Sequence, residues 1–229
     1  MAAFAVGFDF DHTLCFDHQL ERTAFVRLIG AIVEDGGHAP HGNDVAAMAD
    51  AALSKARSGA ISIDGAVREF AAPLLVDGQE PDTYVAIFKD LVLDMADDFV
   101  KPAPGALALL DQLHREGIPT AILTNGWTPL QQKKAAVIGY SGRMIVSDQI
   151  GVQKPDPRAF ERLVQFFELA PADIWYVGDN PGVDIAGALG AGLRAVWLDD
   201  GTYQYPPGLA PVQRIHALTE LLEIFERSA

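Results

Sequence analysis

A single cysteine, Cys15, stands in 229 residues, so the chain can build neither a disulfide framework of its own nor a cysteine-held zinc cluster. Basic residues are also scarce. The 17 Lys and Arg face 31 Asp and Glu, a formal net charge of −14, which argues against a polyanion groove and makes nucleic acid an unexpected partner. No apolar run approaches the roughly 20 residues a membrane span needs, because charges interrupt every one. The opening residues, MAAFAVGF, lack the basic start and long apolar stretch of a signal peptide, and Asp9 follows at once. The expectation is a soluble cytoplasmic protein with no membrane partner. What the chain does have is 49% hydrophobic residues, and a chain of this length buries roughly 70% of its extended surface on folding.

Residues 4 to 8 form a short apolar run without alternation, as expected of a parallel strand buried on both faces. From about residue 17 to 98 the spacing becomes helical: Phe25, Leu28, Ile32; Val45, Met48, Ala49, Ala52, Leu53; Ile63, Val67, Phe70, Leu74; Tyr84, Phe88, Leu91, Met95. Four helices are expected, broken at Gly36-Gly37, between Pro40 and Gly42, at Ser58-Gly59, and between Asp77-Gly78 and Pro81. After Lys101 to Gly105, helices near 105 to 116, 128 to 138, 157 to 169, 182 to 190 and 219 to 226 alternate with strands near 119 to 124, 144 to 146, 174 to 177 and 195 to 198. That alternation predicts an α/β fold: a Rossmann-like parallel sheet with helices on both faces, residues 1–16 and 99–229, carrying an inserted all-helical domain over 17–98.

In open parallel sheets, ligands sit at the carboxyl ends of the strands. Here those ends collect polar residues: Asp9 and Asp11 after the first strand, Thr124-Asn125-Gly126 after the second, Asp179 after the fourth, with Lys154 in the loop between. An Asp-x-Asp pair in an acidic chain is by itself usually solvated surface, and Thr124 to Gly126 alone reads as a strand-ending turn. The set in order reads as chemistry. Clustered carboxylates repel unless a divalent cation neutralises them, and hard oxygen ligands without His or Cys suit magnesium better than zinc. A lysine beside such a cluster makes room for an anion such as phosphate.

These residues resemble the haloacid dehalogenase superfamily, in its phosphatase branch with a helical type-1 cap. Asp9-Phe10-Asp11-His12-Thr13 is similar to that family's DxDxT motif, Thr124-Asn125-Gly126 to its strand-end Ser/Thr motif, and Gly151 to Pro157 to its lysine motif. Gly178-Asp179 followed by Asp184 is similar to GDxxxxD, and the helical insertion lies between the first and second motifs, where the cap is placed. The resemblance implies Asp9 as the nucleophile that forms an aspartyl-phosphate and Asp11 as acid and base. It implies magnesium held by Asp9, Asp179 and the Asp11 carbonyl, and substrate binding by Thr124, Asn125, Gly126 and Lys154. Thr124 and Lys154 count among the catalytic groups, and Asp184 stands behind them, orienting Lys154 or a metal-bound water.

The implied activity is magnesium-dependent hydrolysis of a small-molecule phosphate monoester. A phosphomutase keeps the same intermediate, and a catalytically silent relative keeps the same fold. A haloacid dehalogenase shares the nucleophile but lacks an acid at the position of Asp11. His12 occupies a position where the family commonly has glycine, which bears on the shape of the turn. Cys15 reads as a small packing residue and Trp127 as aromatic packing at a helix start. Lys55 and Arg57, near the Ser58-Gly59 turn, read equally as site residues or as a solvated helix end.

Overall fold

The computed structural model describes residues 4–17, 19–40, 44–57 and 60–226. Gly42 and the Ser58-Gly59 turn, expected as helix breaks, lie outside the described residues. Strand β1 (Ala5–Phe8) leads to a two-residue strand β2 (Cys15–Phe16), and then to helices α1 (Leu20–Glu34), α2 (Asp44–Arg57), α3 (Ile63–Ala71) and α4 (Pro81–Phe99). The chain returns through β3 (Lys101–Pro102), α5 (Ala106–Arg115), β4 (Thr120–Thr124), α6 (Thr128–Ile138), β5 (Arg143–Val146), α7 (Ser147–Ile150) and α8 (Pro157–Phe167). It finishes with β6 (Ile174–Gly178), α9 (Ala186–Gly190), β7 (Arg194–Leu198), β8 (Gln213–Ile215) and α10 (Leu221–Glu226). Two compact units result: Asp17–Val100, and the remainder.

The helical unit closes on aromatic packing. Phe25 of α1 lies 4.7 Å from Phe70 of α3 and 4.6 Å from Phe88 of α4, centroid to centroid, and all three are buried. Leu20, Ala24, Phe25, Leu28 and Ile32 form the buried stripe of α1, the i, i+4, i+5, i+8 spacing of one helix face. Ser62 caps α3 by accepting from the Gly65 N–H over 3.1 Å, satisfying one of the donors a helix start leaves open.

The other unit is a six-stranded sheet in the order β5-β4-β1-β6-β7-β8, parallel throughout. The α/β expectation holds. Every residue of β1 is buried because the strand lies between β4 and β6, with Phe8 opposite both Ile122 and Val177. On one face α8, the turn before α9 and α9 itself bring Phe160, Leu163, Ile185 and Ala188 against Ala121, Leu123, Tyr176 and Trp197. Trp175, pointing the other way, meets Phe225 of α10 at 5.7 Å. Gly7 is needed for the close approach of α8: a Cβ there would stand 2.7 Å from Leu163 and 3.0 Å from Tyr176.

The structure adds elements that local pattern does not announce. β2 and β3 pair antiparallel, Cys15 opposite Pro102, and α7 and β8 are short. The helix expected over 182 to 190 opens instead as a wider π turn, Pro181–Ile185, before α9 begins. Asn180 caps this turn: its side-chain oxygen accepts from the Gly182 and Val183 N–H groups. Among the described residues no helix is long and apolar enough to cross a membrane.

Candidate active site

Because β4, β1 and β6 are neighbours, their carboxyl ends set Thr124, Asp9 and Asp179 side by side. The Asp9 N–H still belongs to the sheet, donating to the Val177 carbonyl over 2.8 Å. Beyond it the chain turns sharply: the Phe10 carbonyl accepts from the Thr13, Leu14 and Cys15 N–H groups. His12 takes φ +62° to make that turn, left-handed backbone that glycine adopts at no cost and histidine tolerates better than most. The Thr13 hydroxyl then donates to Asp9 Oδ2 over 3.3 Å.

Lys154 is the centre of the buried charges. Its Nζ donates to Asp9 Oδ1 at 2.5 Å, Asp184 Oδ1 at 2.7 Å and the Tyr176 hydroxyl at 2.9 Å, three acceptors for three protons. Tyr176 passes the bond on to the Leu123 carbonyl, and Asp184 Oδ2 accepts from the Asn180 N–H. Burial alone would lower the Lys154 ammonium, but Asp184 and Asp9 outweigh it and hold its pKa well above the ordinary value. One lysine does not neutralise three acids. Burial pushes the Asp9 carboxyl up to about 7 against the pull of Lys154, and burial with Asp9 and Asp184 pushes Asp179 up to about 9.

Those displaced carboxyls fit a cation. Asp9, Asp179 and Asp184 each offer an oxygen, all within 4.8 Å of one another and all buried, an all-oxygen donor set of the kind that suits magnesium. Trp197 braces the cluster: its indole N–H donates to the Asp179 carbonyl over 2.9 Å. The sequence reading places Asp184 behind Lys154, where the structure does find it, but its carboxylate also stands in the cluster itself. The Asp11 carboxylate, in contrast, is engaged elsewhere. It accepts from Gln131 Nε2 at 2.7 Å on one oxygen and from Lys134 Nζ at 2.9 Å on the other, with Cys15 Sγ at 3.7 Å.

In the loop after β4 the Gly126 N–H donates to Ser147 Oγ over 3.0 Å, and so ties its loop to α7. The Asn125 side chain has a similar task. It donates to the Lys154 carbonyl and accepts from the Lys154 N–H, at 2.9 and 2.8 Å, which holds the lysine loop against the β4 loop. Thr124, buried, takes Gln131 Nε2 on its hydroxyl at 2.8 Å and donates to the Asn125 carbonyl at 3.1 Å.

Gln131, Lys134, Ser147 and Tyr176 escape a motif-led reading, and two of them left a signal. Gln131 and Lys134 fall on the stripe of α6 that includes Leu130, Ala135 and Ile138, so polar residues occupy core-facing positions of a helix that follows a site loop. Trp127 is half-buried at the start of α6, and Cys15 is buried. Lys55 pairs with Glu69 at 2.5 Å and Arg57 with Glu21 at 3.7 Å, all within the helical unit. For both, the structure supplies the solvated-helix reading with a named partner.

Residues 5–192 match the family described as haloacid dehalogenase-like hydrolase. Phosphoserine phosphatase of Thermus thermophilus is 39% identical over 121 residues, 52% of this chain and 49% of that protein. Pyrimidine 5'-nucleotidase YjjG of Escherichia coli is 33% identical over 127 residues, 54% of this chain and 56% of that protein. The chain thus spans about half the length of the curated relatives it matches. Among solved structures, the HAD-hydrolase YfnB of Bacillus subtilis bound to magnesium superposes with a TM-score of 0.74 at 23% identity, covering 96% of this chain and 97% of that one.

Proposed function

Because the chain belongs to the haloacid dehalogenase-like hydrolases, we propose that it is a magnesium-dependent phosphatase that hydrolyses a small phosphate monoester through an aspartyl-phosphate on Asp9. The observation that carries this is the convergence of Asp9, Thr124, Lys154 and Asp179 on adjacent strand ends, with Lys154 Nζ 2.5 Å from Asp9 Oδ1. The phosphatase and nucleotidase names of the relatives support a small phosphorylated metabolite as the substrate class.

In this reading an oxygen of Asp9 attacks phosphorus, the bond from phosphorus to the ester oxygen breaks, and the departing alkoxide takes a proton from Asp11. Water then attacks the same phosphorus while Asp11 takes one of its protons. The bond from phosphorus to Asp9 breaks, and inorganic phosphate leaves. Asp9, Asp179 and the Asp11 carbonyl would hold magnesium, with Asp184 in reach of the same position. The chemistry such an ion supplies is charge neutralisation, which lets an anionic carboxylate come up to an anionic phosphate. Lys154 works in the same electrostatic sense: its protons are all engaged, and its charge keeps Asp9 oriented toward the reacting phosphorus. Thr124 and the Asn125 main chain receive the phosphoryl oxygens. The helical unit is inserted between the first two motifs. Asn125 holds the β4 loop against the lysine loop, and Ser147 ties the β4 loop to α7.

The test is release of inorganic phosphate from a panel of small phosphate esters, with magnesium and with a chelator, using Asp9→Asn as control. Magnesium-dependent release that disappears in Asp9→Asn is the expected result. Turnover by Asp9→Asn at the parent rate, or release undiminished by the chelator, would overturn it.

A further inference from the structure

Helix α6 turns two polar side chains inward where apolar ones would pack, and both end on the same carboxylate. Gln131 and Lys134 are each 2% exposed, and they reach Asp11 on different oxygens, Oδ2 over 2.7 Å and Oδ1 over 2.9 Å. We propose that Gln131 and Lys134 are positioning residues for the proton transfer, fixing the Asp11 carboxyl at the angle from which it meets the leaving oxygen. The inference rests on the reading of Asp11 as acid and base, and it adds two residues to that machinery.

Three observations carry it. A partly exposed Asp side chain has two rotatable bonds and several staggered arrangements to visit. Two donors on one helix, one to each oxygen, leave it a single arrangement. Oδ1 faces Lys134 and Cys15 while Oδ2 accepts from Gln131, so Oδ2 keeps a site for the proton that goes to the leaving oxygen. The same Gln131 Nε2 also donates to Thr124 Oγ1 over 2.8 Å, so one amide ties the proposed acid to the group that receives the phosphoryl oxygens. Gly126 leaves room for this: a Cβ there would stand 3.3 Å from the Cγ and Cδ of Gln131. Finally, a buried ammonium is costly unless paired, and a leucine or methionine would fill the same stripe position without that cost. The choice of Gln and Lys points to the carboxylate they hold.

The experiment compares kcat/KM for glycerol phosphate and p-nitrophenyl phosphate, with magnesium, in the parent, Lys134→Met, Gln131→Met and Asp11→Asn. kcat/KM reports events up to cleavage of the ester bond, before the hydrolysis step that both substrates share. An alkoxide needs the proton on leaving and p-nitrophenolate does not. General-acid catalysis contributes about 10²- to 10⁴-fold, and misplacing its donor forfeits part of that. The ratio of alkyl to aryl kcat/KM should therefore fall by about tenfold or more in both methionine variants. A mere loss of folded enzyme would lower both substrates together and leave the ratio alone. Gln131→Met keeps the ion pair between Lys134 and Asp11, so it carries the test even if Lys134→Met does not fold. A selective alkyl deficit in Asp11→Asn with an unchanged ratio in both methionine variants would overturn this inference alone. A parent inactive on both esters, or an Asp11→Asn variant with no selective deficit, would overturn the reading beneath it.

Discussion

Lys154→Met removes the ammonium that pairs with Asp9 and Asp184 while keeping an unbranched chain of similar length to fill the space. The lysine is 3% exposed and its ammonium makes three hydrogen bonds of 2.5 to 2.9 Å. Taking one partner from a buried pair strands the other, at a cost of about 3–5 kcal/mol. For a chain of this length each kcal/mol moves Tm by about 2–4 °C, so the variant should melt roughly 6–20 °C below the parent in metal-free buffer. Thermal denaturation followed by circular dichroism measures it. Arg158→Met is the control: its partner Asp156 lies on an exposed surface, the side chains are 69% and 33% exposed, and such a pair contributes little. The same logic predicts recovery. Adding Asp9→Asn and Asp184→Asn to Lys154→Met should restore much of the lost Tm, since the stranded charges carry the cost. A Lys154→Met protein that melts with the Arg158→Met control would refute the claim that this lysine compensates the buried acids.

Gly187 of α9 has Phe160 Cε2 only 2.2 Å from where a Cβ would be, and the Pro155 carbonyl at 2.9 Å. Gly187→Ala should therefore lose about 1–3 kcal/mol through overpacking, and a parent-like Tm would show that the close approach of α8 and α9 carries no such constraint. Magnesium at a hundredfold excess over its dissociation constant should stabilise the folded protein by about 2.7 kcal/mol, a gain in Tm that a chelator reverses and Asp179→Asn abolishes. No shift at millimolar magnesium would remove the ion from the mechanism. At His12, φ +62° costs a non-glycine residue about 1–2 kcal/mol, while glycine loses part of that gain to its freedom in the unfolded chain. His12→Gly should hold or slightly raise Tm and the β-branched His12→Val should lower it; the reverse order would show that the turn is not the limiting feature.

The placement of the candidate residues was legible in the sequence wherever a residue's neighbours along the chain decide it. An apolar run that stops at Asp9, another that stops at Thr124 and a third that stops at Gly178-Asp179 already place acids and a hydroxyl at strand ends. Helical spacing between residues 17 and 98 marks an inserted helical block for the same reason, since a 3.6-residue period is a local property. The short elements are different. Cys15 and Phe16 form a strand only because Lys101 and Pro102 pair with them, and β8 only because β7 does. Nothing within two or three residues encodes a partner so far away.

The division is sharpest at the site. Asp9, Asp11, Thr124, Lys154 and Asp179 are marked as candidates by residue type and position. Which of them touch one another is set by strand order, β4-β1-β6, and by loops that cross between strands. Only the fold gave Lys154 its three acceptors, turned the Gly126 N–H to Ser147, and moved Asp184 into the carboxylate cluster. Only the fold brought Gln131 and Lys134 to a carboxylate 120 and 123 residues earlier in the chain. Periodicity and strand-end chemistry act over a few residues and are readable in one dimension. Hydrogen bonds, burial and the charge balance they impose depend on distance in three, and the sheet's crossovers set those distances.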